Sequence, residues 1–283
     1  MVEWLLTPLH YPFMVRGLIA VIMVGSVCAV VGTYVVLRGM AFFGDALSHA
    51  ILPGVAVGYL VGDGARGTLF WWALAASIFS AIGISAISRN TKIKEDTAIG
   101  IIFAGMFALG ITLISTVRSY SVDLSHFLFG DVLGVSGSDL WLSGSFSLII
   151  LLSVIGFYKE FLVLSFDPIL AATLRLPAKF LDFFLMILIA LAIVVSLQTV
   201  GVALMVAMLI TPAATAYLIS PRLPRMMFVA AIIASISGVI GLYLSYYFSL
   251  ASGGVIVLTT TLIFLVVWAC RNLGSHKQIQ TNT

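Results

Sequence analysis

The sequence predicts an all-α, polytopic transmembrane bundle of about 8–9 spans, and three observations carry that reading. Of the 283 residues, 61% are apolar and only 9% are charged. Mean hydropathy is +1.19. The apolar residues fall into runs of roughly 20, the length a lipid-spanning helix needs. A soluble domain carries about 25% charged residues, and a chain of this size could not hide so much apolar surface from water. Disorder, nucleic-acid binding and an ordinary cytosolic enzyme are thereby excluded.

The runs lie at 14–37, 40–62, 67–88, 97–117, 138–157, 180–198, 200–219, 226–249 and 253–270. Alternate connections are basic: Arg89, Lys92 and Lys94; then Lys159, Arg175 and Lys179; then Arg222 and Arg225; then Arg271 and Lys277. The connections between them are acidic or nearly uncharged, including Asp63 with Arg66, and Arg118 with Asp123, Asp131 and Asp139. Because Lys and Arg stay on the cytoplasmic side, this alternation places the C-terminus in the cytoplasm and, with nine spans, the N-terminus outside; the expected location is the plasma membrane. Two runs are irregular. The 40–62 run holds Asp45, Ser48, His49 and Pro53, and reads as a broken or re-entrant helix. The 180–219 block is interrupted only by Gln198-Thr199-Val200-Gly201, which makes either a turn between antiparallel spans or part of one long tilted helix. The N-terminus is a poor signal peptide and reads as mature sequence. Residues 1–283 read as a single transmembrane domain. Cys28 and Cys270 fit no disulfide or zinc spacing and read as small packing residues.

The sharpest chemical feature is Gly44-Asp-Ala-Leu-Ser-His-Ala50. An ionisable group in the middle of a membrane helix costs about 2.5–3.5 kcal/mol on insertion scales and is by default a functional candidate. Asp45 and His49 are four residues apart and so share a helix face. A carboxylate with an imidazole, and no thiolate, suits a divalent first-row metal toward the harder end of the series. The same pair could instead form a structural Asp–His hydrogen bond or a proton relay. Ser48 reads as support for the pathway. Gly54, Gly58 and Gly62 fall on the far side of the helix from Asp45, at the small-residue spacing that lets helices approach closely in lipid.

Asp167 caps a short helix beginning at Pro168, and Leu176-Pro177 stops it. An element of about nine residues, 167–176, is marginal alone in water, so it must be packed on this chain or on a cytoplasmic partner. Glu95 and Asp96 suit a helix N-terminus. Asp123, His126, Asp131 and Asp139 lie in the expected outer loop, as solvated residues or as groups that draw cations to an outer mouth, and Met205 and Met208 read as gap-filling core residues, with soft metal contacts as the alternative. GxxxxGK[ST], HExxH and GxSxG motifs are absent, so the chain has no phosphate-binding loop, metalloprotease site or serine elbow.

Several segments together resemble the membrane permeases of the ABC importers for manganese, zinc and iron. They are Arg38-Gly-Met-Ala-Phe-Phe-Gly-Asp-Ala-Leu-Ser-His-Ala-Ile-Leu-Pro-Gly54, Glu95-Asp-Thr-Ala-Ile-Gly100, Leu128-Phe-Gly-Asp131, Ser165-Phe-Asp-Pro168, Leu197-Gln-Thr-Val-Gly201 and Thr211-Pro-Ala-Ala214. The resemblance implies an ABC importer permease fold and a homodimer with the pathway between its copies. It also implies a cytoplasmic ATP-binding subunit that hydrolyses ATP, and an extracytoplasmic metal-binding protein. The chain itself is then no enzyme and binds no cofactor or nucleic acid. Its cargo is manganese, with zinc or iron as alternatives; a proton-coupled secondary metal transporter is the rival from another class. Asp45 and His49 match the motif positions that would contact metal. The 167–176 helix, with Asp167, Pro168, Leu170 and Arg175, matches the coupling helix that docks the ATPase. One departure is visible: Leu250-Ala-Ser-Gly253 stands where relatives often carry an acidic turn.

Overall fold

Backbone buried in lipid must satisfy its own N–H and C=O groups, so long uncharged runs become helices. In the computed structural model, which describes residues 6–62, 66–116, 132–166 and 168–280, all regular structure is helical. The elements are α1 (Pro12–Leu37), α2 (Phe43–Ala50), α3 (Leu52–Gly62), α4 (Arg66–Asn90), α5 (Glu95–Ile114), α6 (Gly137–Gly156), α7 (Tyr158–Phe166), α8 (Pro168–Thr173), α9 (Ala178–Val200), α10 (Val202–Ile219), α11 (Leu223–Phe248) and α12 (Ser252–Gln280). Short 3-10 turns cover Thr7–His10 and Val132–Gly134. Among the described residues nine segments are long and apolar enough to span a membrane, with α2 and α3 together making one of them, Phe43–Gly62. Their ends fall within three residues of the nine sequence runs.

The 40–62 run is a broken helix: Ile51 interrupts it, and Pro53 opens the second piece in its first turn, where a missing N–H is tolerated. The 180–219 block is resolved in favour of a turn. Gly201 has φ +80°, a conformation costly for any residue with a Cβ, and it ends α9 and starts α10. The far ends of these two helices lie at the same end of the bundle. There Asp182 of α9 meets Arg38, and the carbonyl of Leu218 accepts from Arg271. Leu37, Tyr217 and Arg271 also line one cleft at that end. The two helices are therefore antiparallel spans.

At the centre of the bundle, α1 packs against α9, α10 and α11, while α3 lies between α4 and α5. Small residues set these approaches. A Cβ at Gly32 would strike the Leu209 carbonyl of α10, and one at Gly241 would lie 2.6 Å from the Ile256 Cα of α12. Gly54, Gly58 and Gly62 form the anticipated seam, facing the Trp72 carbonyl, the Leu69 Cα and Thr68 of α4. Met205 and Met208 are buried gap fillers. Cys28 is buried, 3.1 Å from the Ser196 hydroxyl. Cys270 does not fit its reading as a packing residue, because it sits on an exposed face of α12.

The short helix before Pro177 is briefer than its sequence suggests. α8 stops at Thr173, because Arg175 turns into the left-handed region at φ 53° and the Leu176 N–H reaches back to the Ala171 carbonyl at 3.1 Å. That six-to-one bond is the helix-ending geometry normally built on glycine. Asp139 is likewise no loop residue. It is the third residue of α6 and completes a capping box with Ser136, whose hydroxyl accepts from the Asp139 N–H at 3.2 Å. Glu95 and Asp96 occupy the first turn of α5, as their dipole preference requires, but make no side-chain cap.

Candidate functional site

The site begins with the end of α1. The Gly39 N–H bonds the Val36 carbonyl and the Met40 N–H the Val35 carbonyl, with Gly39 at φ +70°. This is a complete glycine-ended helix stop, and it turns the chain directly into α2. Nearly all of α2 is buried: Phe43, Gly44, Ala46, Leu47, Ser48 and Ala50. Its open stripe consists of Asp45 and His49, whose side chains are 43% and 29% exposed. A span buries its apolar groups and leaves its two ionisable ones uncovered, the reverse of what lipid contact favours.

The Asp45 Oδ1 and His49 Nε2 are 3.8 Å apart, too far for a hydrogen bond. Two ligands that each lie about 2.0–2.2 Å from one ion can be up to about 4.4 Å apart, so both atoms can reach a common ion without a change of backbone. The His49 ring is held from the other side by α5, with Phe103 and Phe107 at centroid distances of 6.1 and 5.8 Å. Gly110 of α5 comes so close to the helix break that a Cβ there would lie 2.6 Å from the Leu52 Cβ. The third polar side chain, Ser48, is buried and donates to the Asp45 carbonyl at 2.7 Å. It therefore ties the backbone of the Asp45 turn and does not face the open stripe. Among the described residues no group of three His, Cys, Asp or Glu side chains converges. Among the described residues, Asp45 and His49 alone do not close a metal site.

A second polar centre, not singled out in the sequence, lies at the end of the bundle that holds Arg38. Asp182, in the second turn of α9, is 1% exposed. Its Oδ1 accepts from Arg38 Nη1 at 2.7 Å, and its Oδ2 from Arg89 Nε at 2.6 Å and Ser85 Oγ at 2.8 Å. These are short charge-assisted bonds, and they join α9 to the stop of α1 and the last turns of α4. Glu95, which opens α5, interacts electrostatically with Arg38, Arg89 and Asp182. The signal was present in the sequence. An acidic residue five positions after Pro177, inside an apolar run, meets the criterion that singled out Asp45.

Of the residues assigned to coupling, Leu170 lies on α8 with 45% of its surface exposed, and Arg175 occupies the left-handed turn after it. Pro168 is the first residue of α8. Asp167 lies outside the described residues, as do Asp123, His126 and Asp131.

With this geometry in place, comparison with known proteins decides the family. A family model for the ABC 3 transport family matches residues 10–271. The chain belongs to the ABC 3 transport family. Within it, the chain is 48% identical over 260 residues to the manganese transport system membrane protein MntC of Listeria monocytogenes, covering 92% of this chain and 91% of that one. It is 40% identical to a probable iron transport system membrane protein of Haemophilus influenzae, covering 95% and 97%. Among solved structures, it superposes with a TM-score of 0.81 and 41% identity on a chain of PsaBC from Streptococcus pneumoniae in complex with Fab, covering 94% and 95%. The all-helical architecture agrees with that family, and the nine candidate spans among the described residues fall within the expected count of about 8–9.

Proposed function

We propose that this chain is the permease subunit of an ABC importer that moves manganese inward across the plasma membrane, with Asp45 and His49 as transient metal ligands in the pathway. The observation that carries the site is the open stripe of α2: its two ionisable side chains lie 3.8 Å apart on a helix otherwise buried. Manganese is favoured over iron because the relative named for manganese is 48% identical and the one named for iron 40%. A carboxylate with an imidazole is compatible with that choice.

Two ligands per chain do not complete a coordination sphere, which supports a pair of copies facing each other so that the stripe is doubled. An incomplete or adjustable site also suits a carrier, since an ion bound too tightly would not be released. The chain itself performs no hydrolysis. A separate cytoplasmic subunit supplies ATP hydrolysis and docks on 167–176, with Asp167, Pro168, Leu170 and Arg175 forming that contact, and an extracytoplasmic protein delivers the metal. Arg38, Arg89, Lys92, Lys94, Lys159, Arg175, Lys179, Arg222, Arg225 and Arg271 lie in alternate connections between spans or in the helix ends that flank them, which antiparallel spans bring to the end of the bundle that holds Arg38 and Arg271. The positive-inside rule makes that end cytoplasmic, with the N-terminus outside.

The test is uptake of radioactive manganese by cells carrying Asp45→Ala or His49→Ala, with membrane abundance and co-purification of the ATPase subunit measured in parallel. Each variant should lose most uptake at unchanged abundance, because a contact at 3.8 Å between part-exposed groups contributes about 1 kcal/mol or less to folding. Near-normal uptake in both variants would remove the metal site. Preferential uptake of zinc or iron by the unaltered protein in competition would overturn the choice of manganese.

A further inference from the structure

We infer that Asp182 is a positioning residue whose ion cluster carries movement of the ATPase-docking segment to the metal-bearing helix α2. The inference rests on the proposed docking role of residues 167–176. Asp182 lies six residues after that segment, at the start of the second turn of α9, so a displacement of the segment reaches it through the Pro177 junction and the first turn of α9. Its carboxylate is buried and fully engaged, with one oxygen on Arg38 and the other on Arg89 and Ser85. Arg38 is the last residue before the Gly39 turn, and Asp45 follows seven positions later. The path is therefore short: the docking segment, the first turns of α9, the Asp182–Arg38 ion pair, the glycine turn, and α2 with Asp45 and His49.

Packing alone would not make so specific a joint. α9 otherwise meets α1, α2 and α4 largely through apolar side chains, which can slide past one another. A carboxylate holding two guanidinium groups at 2.6–2.7 Å has direction as well as strength, and burial prevents water from replacing its partners. With Glu95 nearby, the four charges balance, two positive and two negative. Balance permits burial but does not require this arrangement. The inferred role is to fix the first turns of α9 to the end of α1 as one body. Without the joint, the docking segment could move under ATP while α2 stayed behind.

The experiment uses the assembled importer (permease, ATPase subunit and metal-binding protein) in proteoliposomes, and reads manganese taken up per ATP hydrolysed. The variants are Asp182→Asn, the charge-balanced double variant Asp182→Asn with Arg89→Gln, and Ser85→Ala, which removes one donor and no charge. Assembly and ATP hydrolysis should persist, while uptake per ATP falls about tenfold in the first two and by a smaller factor in Ser85→Ala. A double variant that assembles and has a normal ratio would overturn the inference and leave only charge neutralisation. Loss of assembly in both Asp182 variants, with a normal ratio in Ser85→Ala, would overturn it as well and make the cluster purely structural. If the unaltered complex neither binds the ATPase nor takes up manganese with ATP, the functional reading fails, an outcome distinct from a normal ratio in the variants.

Discussion

Replacing Gly54 with alanine should loosen the span that carries Asp45 and His49. An added Cβ would fall on the Trp72 carbonyl oxygen, 2.8 Å from its carbon and 2.7 Å from the Ala76 Cβ. Carbon atoms in good contact are about 3.5–4.0 Å apart, so α3 and α4 must separate by about 1 Å. The obstacle is mainly backbone and cannot swing away. Overpacking of this kind costs about 1–3 kcal/mol, partly offset by the ~0.5–1 kcal/mol that alanine gains over glycine within a helix. The net loss should be about 1–2 kcal/mol. Thermal or denaturant unfolding of the purified permease in detergent measures it. Gly144→Ala is the control, because its nearest neighbour is the flexible Met23 sulfur at 3.5 Å, and it should match the unaltered protein or slightly exceed it. Equal stability for Gly54→Ala and Gly144→Ala would refute the claim that this glycine sets the α3–α4 distance.

Two further outcomes follow from local geometry. Arg175 sits at φ 53°, where an L-residue other than glycine is strained by about 1–2 kcal/mol; Arg175→Gly should therefore raise thermal stability while weakening ATPase co-purification, since it removes one side chain of the proposed contact, whereas Arg175→Val should lower both. Unchanged co-purification with Arg175→Gly would show that the turn, not the side chain, makes the contact. For orientation, a cysteine at Asn90 should react only with reagents that reach the cytoplasm, and one at Leu250, at the opposite end, with impermeant reagents from outside. Labelling in the reverse sense would invert the topology.

What the chain determines by itself here is whatever depends on near neighbours along it. Spans are legible because lipid forces each apolar run to satisfy its own backbone, and their ends follow from where charge resumes. The break near Pro53, the shared face of Asp45 and His49 and the far-side glycine seam are likewise matters of helical spacing, four residues to a neighbour. The 167–176 element was legible as a helix flanked by prolines but not in its length, because nothing in the local pattern announces an arginine in a left-handed turn. Tertiary structure alone decided which face of α2 stays open, since that depends on how α5 and α9 cover the rest. It alone brought Asp182 to Arg38 and Arg89, 144 and 93 residues away. A buried charge can be recognised from one position in a sequence, but its partner is set by how helices distant in the chain pack, and no periodicity within a single helix encodes that.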